Sequence, residues 1–143
     1  MNIIVDTGPL VAFLNKRDVY HQWALQRFSE LEPPFLTCEP VLSEVCFLLR
    51  NFNDASSKVF AMLDRDLIQI AFSLQRERDA VHDLMQKYRD LPMSLADACL
   101  VRMGEQFSGS TVCTLDSDFK IYRKEQRKVI PVLMPAVLRH HSK

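Results

Sequence analysis

Glycine is scarce in this chain. Only three occur in 143 residues, so there is neither a Gly-rich phosphate loop nor a dinucleotide fingerprint, which argues against P-loop and Rossmann-type nucleotide enzymes. No apolar run approaches the roughly 18 residues of a membrane span, and no basic stretch or cleavage site precedes the first apolar segment. The expectation is a cytosolic protein with no membrane partner. The four cysteines, Cys38, Cys46, Cys99 and Cys113, form no C-x-x-C pair and lie in or beside apolar patterns. They read as small buried hydrophobes in a reducing compartment, and a structural zinc site is not supported. His21, His82, His140 and His141 lie in polar contexts without an H-x-x-x-H pair, so they are expected at the surface.

What is present fits one globular domain over residues 1–143. Hydrophobic residues make up 48%, enough for a core of that size. Eighteen basic residues balance eighteen acidic ones, so net charge names no partner. Its distribution says more: residues 120–143 hold seven Lys/Arg against one acid, Glu125.

Strand-like and helix-like patterns alternate. Ile3-Ile4-Val5 reads as a strand, and Thr7-Gly8-Pro9 turns into a short helix with Pro9 suited to its first position. Residues 19–31 have near-helical apolar spacing up to Pro33-Pro34, after which Phe35-Leu36-Thr37 is a brief strand. Pro40 opens a helix through Val41, Leu42, Val45, Leu48 and Leu49, and another helical segment lies around Val59 to Leu63. Leu67 to Ala71 reads as a strand, residues 74–90 as a polar helix, and Ser94 as the N-cap of a helix through Ala98, Leu100, Val101 and Met103. Strands at 111–115 and Val129 to Leu133 complete the series. This alternation predicts an α/β fold, a three-layer α/β/α sandwich with a mostly parallel central sheet.

Four acids stand out against that frame. Asp6 and Asp116 each follow an apolar strand, and parallel strands line up their C-terminal ends at one crevice. Glu44 and Asp97 interrupt apolar helical patterns. Each has a bland alternative: Asp6 and Asp116 or Asp118 as turn residues, Asp97 as a capping-box acid, Glu44 snorkelling at a stripe edge. The joint case is stronger. Carboxylates at ~4 Å repel by about 4 kcal/mol per pair at an effective dielectric near 20, and a divalent cation removes that cost. Oxygen-only ligands select Mg²⁺ or Mn²⁺. Such a cluster fits phosphodiester hydrolysis, in which the ion activates water and offsets charge on the attacked phosphate. Lys120, Arg123, Lys124, Arg127 and Lys128 recur at three and four residues and, if helical, would form one basic stripe beside Asp116, equally readable as an ordinary solvated face.

At these residues the chain resembles a PIN-domain nuclease, and within that family the VapC toxins of bacterial VapBC modules. The resemblance runs nearly end to end. It rests on Val5-Asp6-Thr7-Gly8-Pro9-Leu10 with His21 downstream, Leu42-Ser43-Glu44-Val45, Leu95-Ala96-Asp97-Ala98-Cys99-Leu100, and Thr114-Leu115-Asp116-Ser117-Asp118-Phe119 with Tyr122-Arg123. It assigns Asp6, Glu44, Asp97 and Asp116 to the family's catalytic, metal-binding quartet, with Asp118 as an accessory acid and Thr7 as a polar support. Gly8 departs from the Asn that many members carry there. The resemblance implies a Mg²⁺- or Mn²⁺-dependent endoribonuclease that leaves a 5′-phosphate and a 3′-hydroxyl, a tendency to form homodimers, and a possible antitoxin whose C-terminal segment covers the acidic pocket. Arg123 and Lys124 are the residues expected to hold RNA phosphate. Two alternatives remain: a non-catalytic PIN-like domain that binds RNA or protein, and a metal-dependent phosphohydrolase acting on small esters.

Overall fold

The computed structural model describes residues 1–52 and 54–137. Its centre is β1 (Ile3–Val5), whose three residues are all buried, so both faces of the sheet are covered there. β1 lies between β2 (Phe35–Thr37) and β4 (Thr111–Cys113), and the five-stranded order is β3-β2-β1-β4-β7, every pairing parallel. β3 (Ile68–Ile70) and β7 (Val132–Leu133) form the two edges. The expected three-layer α/β/α arrangement with a parallel sheet is the one observed.

Among the described residues six helices pack around this sheet. α1 (Thr7–Leu14) and α2 (His21–Glu30) pack on each other, and α1 also packs on α3 (Glu39–Leu48). α4 (Ala55–Asp64) follows α3 and touches β3. α5 (Leu74–Lys87) packs on α6 (Leu95–Gln106), which lies against β1 and β4. Every α6 position from Ala96 to Val101 is buried, and so is Met103 beyond them. That makes α6 an inner helix, whereas the more polar α5 is the amphipathic layer outside it. Among the described residues no helix is long and apolar enough to cross a membrane.

Two expectations for the C-terminal part are corrected. The apolar segment from Val129 to Leu133 is not one strand: β6 (Lys128–Val129) and β7 are separated at Ile130-Pro131, where Pro131 has no N–H for a ladder but accepts Val112 N–H at 2.9 Å. The basic stretch is not a helix either. Ser117–Lys120 makes one 3₁₀ turn, then β5 (Arg123–Lys124) pairs antiparallel with β6. In this hairpin Lys124 stands opposite Lys128, so the basic side chains flank a ribbon instead of one helical stripe. His140 and His141 lie outside the described residues.

His21 also departs from its expected surface position. It is buried, with Nδ1 2.7 Å from the Ala12 carbonyl, to which the Nδ1–H tautomer donates. The polar sequence context concealed a contact between helices, because His21 is the first residue of α2 and faces α1. Of the cysteines, Cys38, Cys99 and Cys113 are buried as expected, while Cys46 is half-buried.

Candidate metal-binding carboxylate site

β1 stops at Val5 because the next residue turns its side chain to the backbone. Asp6 Oδ1 accepts Thr7 N–H at 2.7 Å, capping α1, while Asp6 N–H still donates to the Cys113 carbonyl of β4. Its other oxygen, Oδ2, accepts the Thr114 hydroxyl at 2.7 Å. Asp6 therefore sits at the C-terminal ends of the two central strands, buried between them. Burial pushes its carboxyl up to about 7 against the pull of the Thr114 and Thr7 hydrogen bonds, with Asp97 and Asp116 adding like-charge repulsion.

β4 delivers Asp116 to the same edge. Thr114 is fully buried, and its hydroxyl oxygen accepts Asp116 N–H at 2.9 Å while donating to Asp6. Asp116 Oδ1 accepts Asp118 N–H at 2.9 Å, starting the 3₁₀ turn. Asp118 lies in that turn, half-buried, its pKa raised by desolvation and then by Asp116.

Asp97 reaches the crevice from α6. The capping box is present: Asp97 N–H donates to Ser94 Oγ at 3.0 Å, and Asp97 Oδ2 accepts Ser94 N–H at 3.1 Å. Capping is only part of its role. Asp97 is buried, and its carboxyl is raised by desolvation and by the charges of Asp116 and Glu44. Tyr122, fully buried beneath the hairpin, directs its hydroxyl at Asp97 Oδ2 from 3.4 Å.

Glu44 comes from α3, where the buried apolar stripe is Val41, Leu42 and Val45, continued by Leu49 at the C-cap. Glu44 is exposed at the edge of that stripe, where the snorkelling alternative puts it. Thr7 Oγ1 donates to its Oε2 at 2.9 Å and so ties α1 to α3. Thr7 thus acts on a carboxylate neighbour.

Asp6, Asp97 and Asp116 are close enough to act on one another electrostatically, and Glu44 acts on Asp97. Among the described residues no Lys or Arg forms an ion pair with any of them. Among the described residues no group of three or more His, Cys, Asp or Glu is spaced so that it could hold a metal ion as it stands. Each carboxylate instead has an oxygen held by its own chain, while Glu44 Oε1, Asp97 Oδ1 and Asp116 Oδ2 accept no hydrogen bond among the described residues. An all-oxygen donor set with repelling charges and uncommitted oxygens fits a hard divalent cation.

The PIN domain family profile matches residues 3–125, which include all of these acids. The chain belongs to the PIN domain family. Its fold is similar to that of VapC20 of Mycobacterium tuberculosis, a sarcin-ricin loop cleaving toxin, with a TM-score of 0.75 over 84% of this chain and 94% of that one. Identity is 20%, so the likeness is one of fold. No match is found among curated proteins.

Within this PIN domain, sequence reasoning missed the roles of two polar residues. Thr114 joins Asp6 to Asp116, and Tyr122 faces Asp97, whereas Ser94 holds Asp97 as the expected N-cap. Thr114 carried a signal, since a hydroxyl two residues before Asp116 can reach back to its amide. Arg123 and Lys124 are both half-buried in β5. The Arg123 guanidinium donates to the carbonyls of Lys120, Ile121 and Tyr122 at 2.7 to 3.1 Å, closing the 3₁₀ turn. Gly8, the departure from the family pattern, packs against Leu115: a Cβ there would lie 3.1 Å from Leu115 Cβ and Cδ1.

Proposed function

We propose that this PIN domain is a divalent-metal-dependent endoribonuclease acting in the cytoplasm as the toxin of a toxin–antitoxin pair. The observation that carries this reading is the set of four carboxylates at the end of β1, on α3, on α6 and after β4, in which Asp97 is repelled by Asp116 and Glu44, and Asp6 by Asp97 and Asp116, without a Lys or Arg partner among the described residues. Asp6, Glu44, Asp97 and Asp116 would hold one or two Mg²⁺ or Mn²⁺ ions, with Asp118 tuning the shell. When bound, such an ion supplies Lewis-acid activation of water and of the attacked phosphate. Thr7 and Thr114 fix the orientation of Glu44 and Asp6, Tyr122 closes off Asp97 from behind, and Arg123 with Lys124 holds RNA phosphate beside Asp116. The product is a 5′-phosphate and a 3′-hydroxyl. The partners on this reading are an antitoxin segment laid over the acidic crevice and a second copy of the chain.

The test pairs cleavage of a mixed RNA substrate in Mn²⁺ with calorimetric titration of Mn²⁺ into the metal-free protein. Asp6→Asn, Glu44→Gln, Asp97→Asn and Asp116→Asn are expected to lower cleavage at least about a hundredfold, by analogy with loss of other charge-stabilising groups, and to weaken Mn²⁺ binding. Unchanged cleavage in Asp97→Asn would remove Asp97 from the site. One observation favours a second reading, a non-catalytic PIN-like domain that binds RNA or protein: Asp6, Asp97 and Asp116 are each also satisfied as a cap or turn by their own chain. On that reading, Mn²⁺ binds weakly or not at all and no RNA is cut.

A further inference from the structure

Beyond the carboxylates, the α1/α3 pair ends in a second, chemically distinct concavity. It is an open cleft of about 520 Å³ between the α1–α2 and α3–α4 connections, lined by Asn15, Lys16, Arg17, Asn51, Phe52 and Lys58. Lys16, Arg17 and Lys58 are exposed, and among the described residues none of them makes an ion pair or a side-chain hydrogen bond. No acid among the described residues lines the cleft. Lys58 lies in the opening turns of α4, whose first turn holds no acid. A cation near a helix N-terminus opposes the macrodipole, so its own helix does not account for it. Phe52 is 44% exposed, and its ring has no aromatic partner among the described residues. The two asparagines add amide donors and acceptors.

This is the chemistry of single-stranded nucleic acid recognition: cations for phosphate, an aromatic face for a base, amides for base edges. A volume of this size accepts a nucleotide. Placement agrees. α1 begins at the Asp6 cap and ends at Leu14 beside the cleft, and eight helical residues span about 12 Å. Glu44 lies seven positions before Asn51, and Thr7 locks α1 to α3 at Glu44. One strand crossing the carboxylates along this helix pair reaches the cleft.

We propose that this cleft is a subsite for an unpaired nucleotide of the RNA substrate, its base stacked on Phe52 and its flanking phosphates held by Lys16, Arg17 and Lys58. The proposal rests on the ribonuclease reading and adds a specificity site to it. It also predicts that substrate must be unpaired at a fixed distance from the cut.

The test is fluorescence anisotropy of a labelled single-stranded oligoribonucleotide in EDTA, where nothing is cut, with cleavage in Mn²⁺ followed separately. Phe52→Ala is expected to weaken binding by about tenfold, the loss of one stacked base. Phe52→Leu keeps apolar volume, removes the ring face and should lose a similar factor, which separates stacking from a folding defect. Replacing Lys16, Arg17 and Lys58 by alanine should flatten the salt dependence by about 0.7 in the log–log slope for each phosphate no longer held. If wild type cuts RNA while the Phe52 variants bind like wild type, the subsite is overturned and the ribonuclease reading stands. If wild type neither binds nor cuts RNA, both fall. If the cation variant binds RNA normally but loses a polyglutamate peptide that wild type holds, the cleft is a protein-docking site and the proposal is overturned.

Discussion

Thr114 donates its hydroxyl to Asp6 Oδ2 at 2.7 Å across 108 residues of sequence, in a fully buried position. The Thr114 hydroxyl oxygen in turn accepts the Asp116 amide N–H. One hydroxyl thus orients two of the four acids. Thr114→Val keeps the shape and strips both bonds, leaving buried polar groups unsatisfied at about 1–3 kcal/mol each. Urea denaturation is expected to show a loss in that range, and Mn²⁺ titration a weaker site. Unchanged values in both would show that Thr114 only fills space.

Metal-free stability should fall as pH rises. Asp6 titrates near 7 in the folded protein, above its ordinary value of 3.8, so the folded state holds a proton that the unfolded state has released. Its contribution is fully present below about pH 4 and is lost as pH climbs through 7, at up to about 1.4 kcal/mol per pH unit. Asp97, also raised, acts with the same sign. Denaturation in EDTA at pH 5, 6, 7 and 8 should show the decline, Asp6→Asn should flatten it, and Mn²⁺ should restore stability at pH 8. A metal-free protein equally stable at pH 5 and pH 8 would contradict the burial of ionisable Asp6.

Gly8 and Leu115 are coupled by space. Because a Cβ at position 8 would sit 3.1 Å from Leu115, Gly8→Asn alone is expected to destabilise by about 1–2 kcal/mol, in the range of overpacking. Combined with Leu115→Ala the penalty should shrink. A double-mutant cycle by thermal denaturation measures it, and additive effects would mean that Leu115 yields freely.

The hairpin turn offers a gain. Glu125 and Gln126 both have positive φ, 48° and 71°, without being glycine. Gln126→Gly should therefore stabilise by roughly 0.5–1 kcal/mol. The Gln126 carbonyl, which accepts Lys87 Nζ at 2.9 Å, belongs to the backbone and survives the change. A melting temperature that stays level or falls would show that the turn is not strained there.

Much of this architecture was legible because local signals agreed with the fold. Ile3-Ile4-Val5 and Phe35-Leu36-Thr37 became strands, and Ser94 with Asp97 formed the expected capping box. Asp6 and Asp116 lie at one sheet edge as expected from their places after two apolar strands, since parallel strands line up their C-terminal ends. What failed was nonlocal. His21 looked polar from its neighbours, yet its partner is a carbonyl nine residues away in α1. The basic spacing after Lys120 matched a helix period, but Arg123 closes a 3₁₀ turn and Pro131 breaks the next strand. The apolar pattern that Glu44 interrupts included Leu48, whereas Leu48 is 53% exposed and lies outside the buried stripe. Tyr122 could not be assigned to Asp97 without knowing that the chain returns over α6.

The central pairing of β1 with β4 joins the first residues of the chain to residues 111–113. Asp6 and Thr7 are made early, but Thr114 and Asp116 emerge more than a hundred residues later. Until then the first strand lacks one neighbour and the crevice lacks one wall. The acidic site therefore depends on two distant stretches meeting: a protease cutting between α6 and β4 would sever the covalent link between Asp116 and the other three acids without touching any carboxylate.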